Sequence, residues 1–314
     1  MSVNPPVERR RTVADVEEAL PRGIALTWGV AENPQRGPKR ELSIERIVET
    51  AIEIADAEGL GAVSMSRVAT TLGFTTMSLY RYVTSKDDLL VLMEDTASEM
   101  AIPAEDDVVP WRDGVRRWVL AVRGVYRDHP WIARVPVSGA PMTPNSMLAA
   151  DWLLRELRPL PLDDGERMSS LLLLTSYVRA TAALEADLTE ATAAGIAETA
   201  GMQAALSALV TPERFPDLSR IVADGGYTGA PVPGVADDFT FGLERILDGI
   251  EYHMGNTSAE VVAAPPALDS LEIPRDKAVR EAAKARREAE AKVREAKKRE
   301  REEIKRARER AARD

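Results

Sequence analysis

Residues 43–90 read SIERIVETAIEIADAEGLGAVSMSRVATTLGFTTMSLYRYVTSKDDLL. The string is punctuated as three short helices and the start of a fourth. In the first, Ile44, Ile47, Val48, Ala51, Ile52 and Ala55 recur at steps of three and four, so one face is apolar. Glu45, Glu49, Glu53 and Asp56 fall mostly on the other side, with Ser43 as an N-cap and Gly59 as a stop. Ser64 caps the second helix, and Met65, Val68, Ala69 and Leu72 line its inner face. Gly73 ends it, since the position past a helix often requires a left-handed backbone. Phe74 anchors the turn and Thr75 caps the third helix, from which Leu79 and Val83 point inward. That leaves Thr76, Met77, Ser78, Tyr80, Arg81 and Tyr82 on the outer side. Residues 85–88 make a capping-box-like start to the fourth helix, with Lys86 beside free backbone N–H groups, a combination suited to a phosphate. Two helices at this spacing form a helix-turn-helix, whose second helix enters the DNA major groove.

The order of glycine, small polar cap, SLYRYV at 78–83, Lys86 and the leucine pair 89–90 resembles the DNA-binding domain of TetR-family repressors over about 50 residues. The resemblance implies phosphate contacts at Tyr80 and Lys86, and base-reading positions at Thr75, Thr76, Met77, Ser78, Arg81 and Tyr82. Ser64 and Arg67, at the start of the second helix, and Arg40, in the arm before the first, complete the expected DNA-facing set. The family often carries His where this chain has Tyr82, a change of detail and not of class.

At 314 residues the chain has room for two or three domains, and 45% hydrophobic residues suffice for a core. No apolar run approaches the ~18 residues of a membrane span, so no membrane association is expected. The N-terminal MSVNPPVERRR lacks a following apolar stretch and does not read as a secretory signal. The chain has no cysteine, which excludes thiolate chemistry and disulfides and fits a cytoplasmic protein. Net charge is −10 but uneven: residues 275–314 hold 17 Lys/Arg and 10 Asp/Glu, a net of +7, leaving 24 basic and 41 acidic residues, or −17, on the rest. An acidic bulk does not forbid DNA binding, because only groups near the phosphates release counterions.

The expected fold class is all-α: an N-terminal three-helix helix-turn-helix domain, a helical ligand-binding and dimerisation domain, and a charged helical tail. The expected boundaries are an extension at 1–42, a DNA-binding domain at 43–92, a regulatory domain at 93–255, a linker at 256–274 and the tail at 275–314. In the extension, 13–20 could form a short helix, the rest being broken by Pro21, Pro34 and Pro38. Arg36, Lys39 and Arg40 are placed to reach a minor groove, or simply to keep a linker solvated. In the second domain, helices are expected at 111–129, 145–157, 163–188, 191–210 and 238–254, with a Gly- and Pro-rich loop at 211–237. The string FGLERILDGIE, and Trp111 with His129-Pro130, extend the resemblance loosely to 43–254, towards the tetracycline-repressor type of regulatory domain. That resemblance implies a homodimer joined through the long helix and the last one, at Leu171, Leu174, Phe239, Leu243, Ile246, Leu247 and Ile250. It also implies a small-molecule effector pocket, for which Trp118, Trp131, Arg134, Met142, Met147, Trp152, Met168, Thr175, Tyr177 and Arg179 are candidate liners. Arg134 and Arg179, if buried, would demand an anionic partner. In the tail, acid–base pairs four residues apart, such as Glu288/Lys292, Glu295/Arg299 and Glu302/Arg306, favour a solvated helix of roughly 60 Å.

Enzyme and metal chemistry find no footing. The two histidines, His129 and His253, each end a helix, where they suit the helix dipole better than a metal. No glycine-rich phosphate loop or G-x-S-x-G occurs, and no cofactor is expected. The reading is therefore a dimeric, ligand-responsive transcriptional regulator, a repressor of a near-palindromic double-stranded operator. The rival is an architectural protein that binds nucleic acid or a partner through its basic tail.

Overall fold

The computed structural model describes residues 19–31, 42–137, 141–194, 200–225 and 237–256, with scattered positions between 278 and 306. The chain divides into two units, Met1–Asn256 and Thr257–Asp314. Among the described residues all regular structure is helical.

In the first unit the helices are α1 (Arg22–Thr27), α2 (Ile44–Glu58), α3 (Met65–Leu72), α4 (Thr76–Leu79), α5 (Lys86–Ala97), α6 (Trp111–Asp128), α7 (Pro144–Leu157), α8 (Asp164–Ala193), α9 (Ala200–Leu209), α10 (Leu218–Ala223) and α11 (Asp238–Asn256). Single-turn 3₁₀ helices lie at Leu60–Ala62 and Pro130–Arg134. The sequence pattern did not anticipate α1. Pro21 caps it, and a proline costs nothing there because its missing N–H has no partner in a first turn. α8 runs on to Ala193, past the break expected near 188, and α10 interrupts the expected loop.

Helices α2 to α5 bury Ile47, Val48, Val63, Val68, Leu79, Val83, Leu89 and Met93 in one core, together with Ile54. Serine and threonine hydroxyls close the helix starts: Ser43, Ser64, Thr75 and Ser85 each accept the backbone N–H three residues on. Gly73 sits at φ 76° and ψ 24°, the left-handed geometry that turns α3 into α4 and that a β-carbon would strain. A second core joins α6, α7, α8 and α11 around Val115, Trp118, Leu153, Leu157, Leu174, Val178 and Leu247. Asp163 and Glu166 form a full capping box at the start of α8. Two arginines bind α6 to α11: Arg116 grips Glu244 with both Nε and Nη2 at 2.8 Å, and Arg112 pairs with Asp248 and Glu251.

In the second unit, every described position from 278 to 306 is helical and exposed. Arg299 pairs with Glu295 as expected, whereas Glu288 meets Lys284 at 3.9 Å. The expected Glu302/Arg306 pair lies outside the described residues.

Candidate nucleic-acid interface and its link to the C-terminal domain

The outer surface of α4 is built by its own cap. Thr75 Oγ1 accepts the Ser78 N–H at 3.3 Å and meets the Ser78 hydroxyl at 2.9 Å, which fixes the first turn. Met77 is 74% exposed and Tyr80 41%, and Thr75, Arg81 and Lys86 are exposed around them. These large side chains lie outside the head core, and the surface they make is open to another molecule. Lys86 opens α5, whose first turn is capped by Ser85 accepting the Asp88 N–H at 3.0 Å. The Asp88 carboxylate takes the Thr84 hydroxyl at 2.6 Å, so the cap differs from a reciprocal box. Arg67, expected to face DNA, is held by Glu58 at 2.7 Å. Ser64 is occupied as the cap of α3, accepting the Arg67 N–H at 3.1 Å.

One expected base reader is corrected. Tyr82 is 5% exposed and belongs to the head core. α4 ends at Leu79, and the following turn, with Tyr82 N–H on the Leu79 carbonyl at 2.8 Å, carries Tyr82 inward. Tyr82 stands three residues after the fully buried Leu79 and beside the fully buried Val83, so it shares their inner face. Arg40 lies outside the described residues.

The head is fastened to the C-terminal domain at three places. The first is the turn Pro130–Arg134, whose Trp131 and Ile132, with Val135 just beyond, sit in the head core. Trp131 Nε1 donates to Asp56 on α2 at 2.8 Å, and His129 Nδ1 lies 2.9 Å from the same carboxylate oxygen. The second is Asn145, at the start of α7, which donates its backbone N–H to Asp95 Oδ1 at 2.8 Å and its side-chain amide to the Asp95 carbonyl at 2.9 Å. The third is a half-buried group of Glu94 on α5, Tyr126 on α6 and Arg179 on α8, with Arg179 also donating to the Val135 carbonyl.

Burial pushes the Glu94 carboxyl above its ordinary value, and the Arg179 charge offsets only part of that. Burial likewise raises Tyr126. A carboxyl raised on folding contributes stability that is complete below its unfolded value and lost as pH rises through the folded one. Glu94→Gln is therefore expected to raise the thermal midpoint relative to the parent at pH 8. The difference should shrink as pH falls below the ordinary carboxylate range. Parallel melting curves between pH 4 and 8 test this, and a gap independent of pH would mean that Glu94 is not the titrating group.

Several expected pocket liners have other roles. Trp131 belongs to the head core, which corrects its placement in a pocket. Trp118 and Trp152 are buried with their N–H groups satisfied by the Ala149 carbonyl at 2.7 Å and Glu156 at 3.0 Å. Arg134 is on the surface, paired with Asp187 at 2.6 Å and Glu190 at 2.9 Å. Tyr177 donates to the Phe239 carbonyl at 2.7 Å and stacks on its ring. Met142, Met147 and Met168 are exposed, and Thr175 is half-buried. Arg179 is half-buried and donates to the Val135 carbonyl, and its charge offsets only part of the burial that raises Glu94 of the head.

Most of the expected dimer residues are covered within the single chain. Leu174, Phe239, Leu243, Leu247 and Ile250 lie between 0 and 8% exposed inside the single chain, and Leu171 and Ile246 pack against them. A sequence shows that a helix has an apolar face; it does not show which neighbour covers it. The exposed large apolar groups are others: Met168, Leu172, Leu173, Leu184 and Leu188 on α8, and, on α11, Phe241, whose ring lies under Arg245. No set of three or more His, Cys, Asp or Glu side chains is gathered for a metal among the described residues. His253 instead meets Glu166 at 2.7 Å, a bond that lowers the Glu166 carboxyl. No described helix is long and apolar enough to cross a membrane.

Comparison with known proteins places the two halves separately. Residues 47–93 match the model of the bacterial regulatory proteins, tetR family, and residues 103–254 match the tetracyclin repressor-like C-terminal domain. The chain is 36% identical over 243 residues to the HTH-type transcriptional repressor DrrR1 of Streptomyces coeruleorubidus, covering 74% of this chain and 86% of that protein. It is 29% identical over 222 residues to the class C tetracycline repressor of Escherichia coli, covering 67% and 91%. Among solved structures, ActR of Streptomyces coelicolor in complex with actinorhodin superposes with a TM-score of 0.58 at 29% identity, covering 69% of this chain and 98% of ActR. Apo ActR gives 0.56 at 28%, covering 71% and 100%.

Proposed function

The chain belongs to the TetR family of bacterial regulatory proteins, and from that membership we propose that it is a cytoplasmic homodimeric repressor, holding a near-palindromic operator and releasing it when a small molecule occupies its C-terminal domain. The observation that carries this is the capped α4, with Met77, Tyr80 and Arg81 unpacked, on a head whose core is completed by the C-terminal domain's own Trp131. Two such helices would enter successive major grooves about 34–36 Å apart. Tyr80 and Lys86 take phosphates, and Thr75, Thr76, Met77, Ser78 and Arg81 face the bases.

Dimerisation is supported by α8. Its 30 residues are apolar on the outward side as well as the inward one, and a helix of that kind needs cover on both. A second copy supplies that cover with one symmetric contact. The effector acts through the junction, where α8 and α6 meet α5 at Arg179, Tyr126 and Glu94. A ligand that favours a different setting of these helices lowers operator affinity by its differential affinity for the two states. Among the expected liners, Thr175 and Arg179 keep places consistent with such a site. The architectural reading gains nothing, because both matched domains lie outside the tail.

The test is selection of bound sequences from a random DNA pool by the full chain and by a variant lacking 275–314. A shared palindrome from both is expected, and salt-sensitive binding without a motif would overturn the reading. With that operator, Lys86→Ala should weaken binding to all sequences alike and lower the salt slope by about 1 per subunit. Arg81→Ala should instead relax base preference at one position of each half-site, by about 1–3 kcal/mol of discrimination.

A further inference from the structure

The segment 19–31 lies before residue 47, where the family match begins, yet it is fastened on two sides. α1 lies flat on α5. A β-carbon on Gly23 would come within 3.1 Å of both Asp88 Cα and Val91 Cβ, so a larger residue there would press α1 away from α5 by at least a few tenths of an ångström. Ala25 is 1% exposed, and Leu26 packs against the head core. After α1 the chain turns through Gly29, with the Val30 and Ala31 N–H groups both on the Ala25 carbonyl at 3.0 and 3.1 Å, which locks the end of the segment. Trp28 then reaches across to the C-terminal domain and donates its Nε1–H to the Met142 carbonyl at 2.7 Å.

Met142 stands three residues before Asn145, the residue that already grips Asp95 of α5. The result is a closed triangle: α1 lies on α5, α5 is bonded to Asn145, and the segment leading to Asn145 is bonded back to Trp28. Two bonded bodies can still pivot about a shared edge. A third side removes that freedom. Trp28 is 46% exposed and belongs to neither core, so its side-chain hydrogen bond ties the segment to the C-terminal domain without making it part of that domain's packing.

We propose that residues 19–31 form a strap that fixes the angle between the DNA-binding head and the C-terminal domain, and that Gly23 and Trp28 thereby select the half-site spacing of the operator. This rests on the dimeric operator reading proposed above. In a dimer joined through the C-terminal domains, the tilt of each head sets the separation of the two recognition helices. Changing the spacer by one base pair moves a half-site by about 3.4 Å and turns it by roughly 34°. A strapped head cannot follow both displacements, whereas an unstrapped one can.

Gly23 and Trp28 are positioning residues, so the readout is a ratio and not an affinity alone. The full-length protein, Gly23→Val and Trp28→Phe are each titrated against the selected operator and against operators with the spacer lengthened or shortened by one base pair. The parent should favour its own spacing by roughly tenfold or more, the cost of misplaced base contacts. Gly23→Val, which lifts α1 from α5, should bring the three operators within about threefold of one another. Trp28→Phe, which keeps the ring and loses one hydrogen bond, should fall between, as expected for a bond worth about a factor of three to ten. Melting curves check that both variants remain folded. A parent spacing preference kept by both folded variants overturns the strap, as does an equal loss on all three operators, which is what plain destabilisation would give. Should Gly23→Val fail to fold, Trp28→Phe alone decides on the same ratio. A parent that selects no two-half-site motif overturns the operator reading and the strap together.

Discussion

Leu247→Ala is expected to unfold the protein at a temperature roughly 5–20 °C below the parent, whereas Phe241→Asp and Leu172→Asp should leave a folded single chain. Leu247 is fully buried between α6, α8 and α11, and removing a buried leucine side chain costs about 2–5 kcal/mol because the cavity does not collapse. Phe241 and Leu172 are 53% and 69% exposed and lie outside both cores, so a charge there leaves the cores intact and costs only the Arg245 contact of Phe241. In the proposed dimer both would be covered, and an aspartate on each copy would meet its like across the symmetry axis. Sedimentation should show the mass fall by half with helical content kept, and operator binding should lose its two-site character. A folded dimer from Leu172→Asp/Phe241→Asp would show that α8 and α11 do not form the interface.

Asp56→Ala is the second large effect. The carboxylate takes the Trp131 N–H at 2.8 Å, and Trp131 is 3% exposed, so its loss strands a buried donor at a cost of about 1–3 kcal/mol. The same change frees His129 from α2. The thermal midpoint should fall by roughly 2–4 °C per kcal/mol, and the head should loosen from the turn that plugs it. Asp56→Asn keeps an acceptor oxygen and should recover most of the loss. Backbone exchange in α2 and α3, faster in the alanine variant than in the asparagine one, separates this from a general weakening. Equal midpoints for Asp56→Ala and the parent would mean that the Trp131 bond is not holding the head.

The head was legible in the sequence because its signals are local. Ser43, Ser64, Thr75 and Ser85 announce helix starts, Gly73 announces a turn, and the apolar spacing between them selects the inner faces. Tyr82 stands three residues after the inward-pointing Leu79, a spacing that marks the inner face, and only the family resemblance drew it outward. In the C-terminal domain the helices were legible and their partners were not. Leu243, Leu247 and Ile250 read equally well as a dimer seam or an inner face, and only the position of α6 decides. Trp131 resembled a pocket liner for the same reason. Its neighbours in the head core lie on α2 to α5, before residue 98, and Asp56 is 75 residues away, so nothing near residue 131 points to them. α1 was hidden by its small size and by Pro21, which reads as a break and serves as a start.

The plug formed by Trp131, Ile132 and Val135 bears on how such regulators can be recombined. A head cut after α5 would carry an open socket where three hydrophobic side chains belong, and Asp56 without its partner. Grafting residues 42–97 onto another receiver would therefore need the 129–135 turn to travel with them, although it lies beyond the matched DNA-binding segment. The exchangeable cassette in this protein is discontinuous, and its boundary follows the socket and not the domain border.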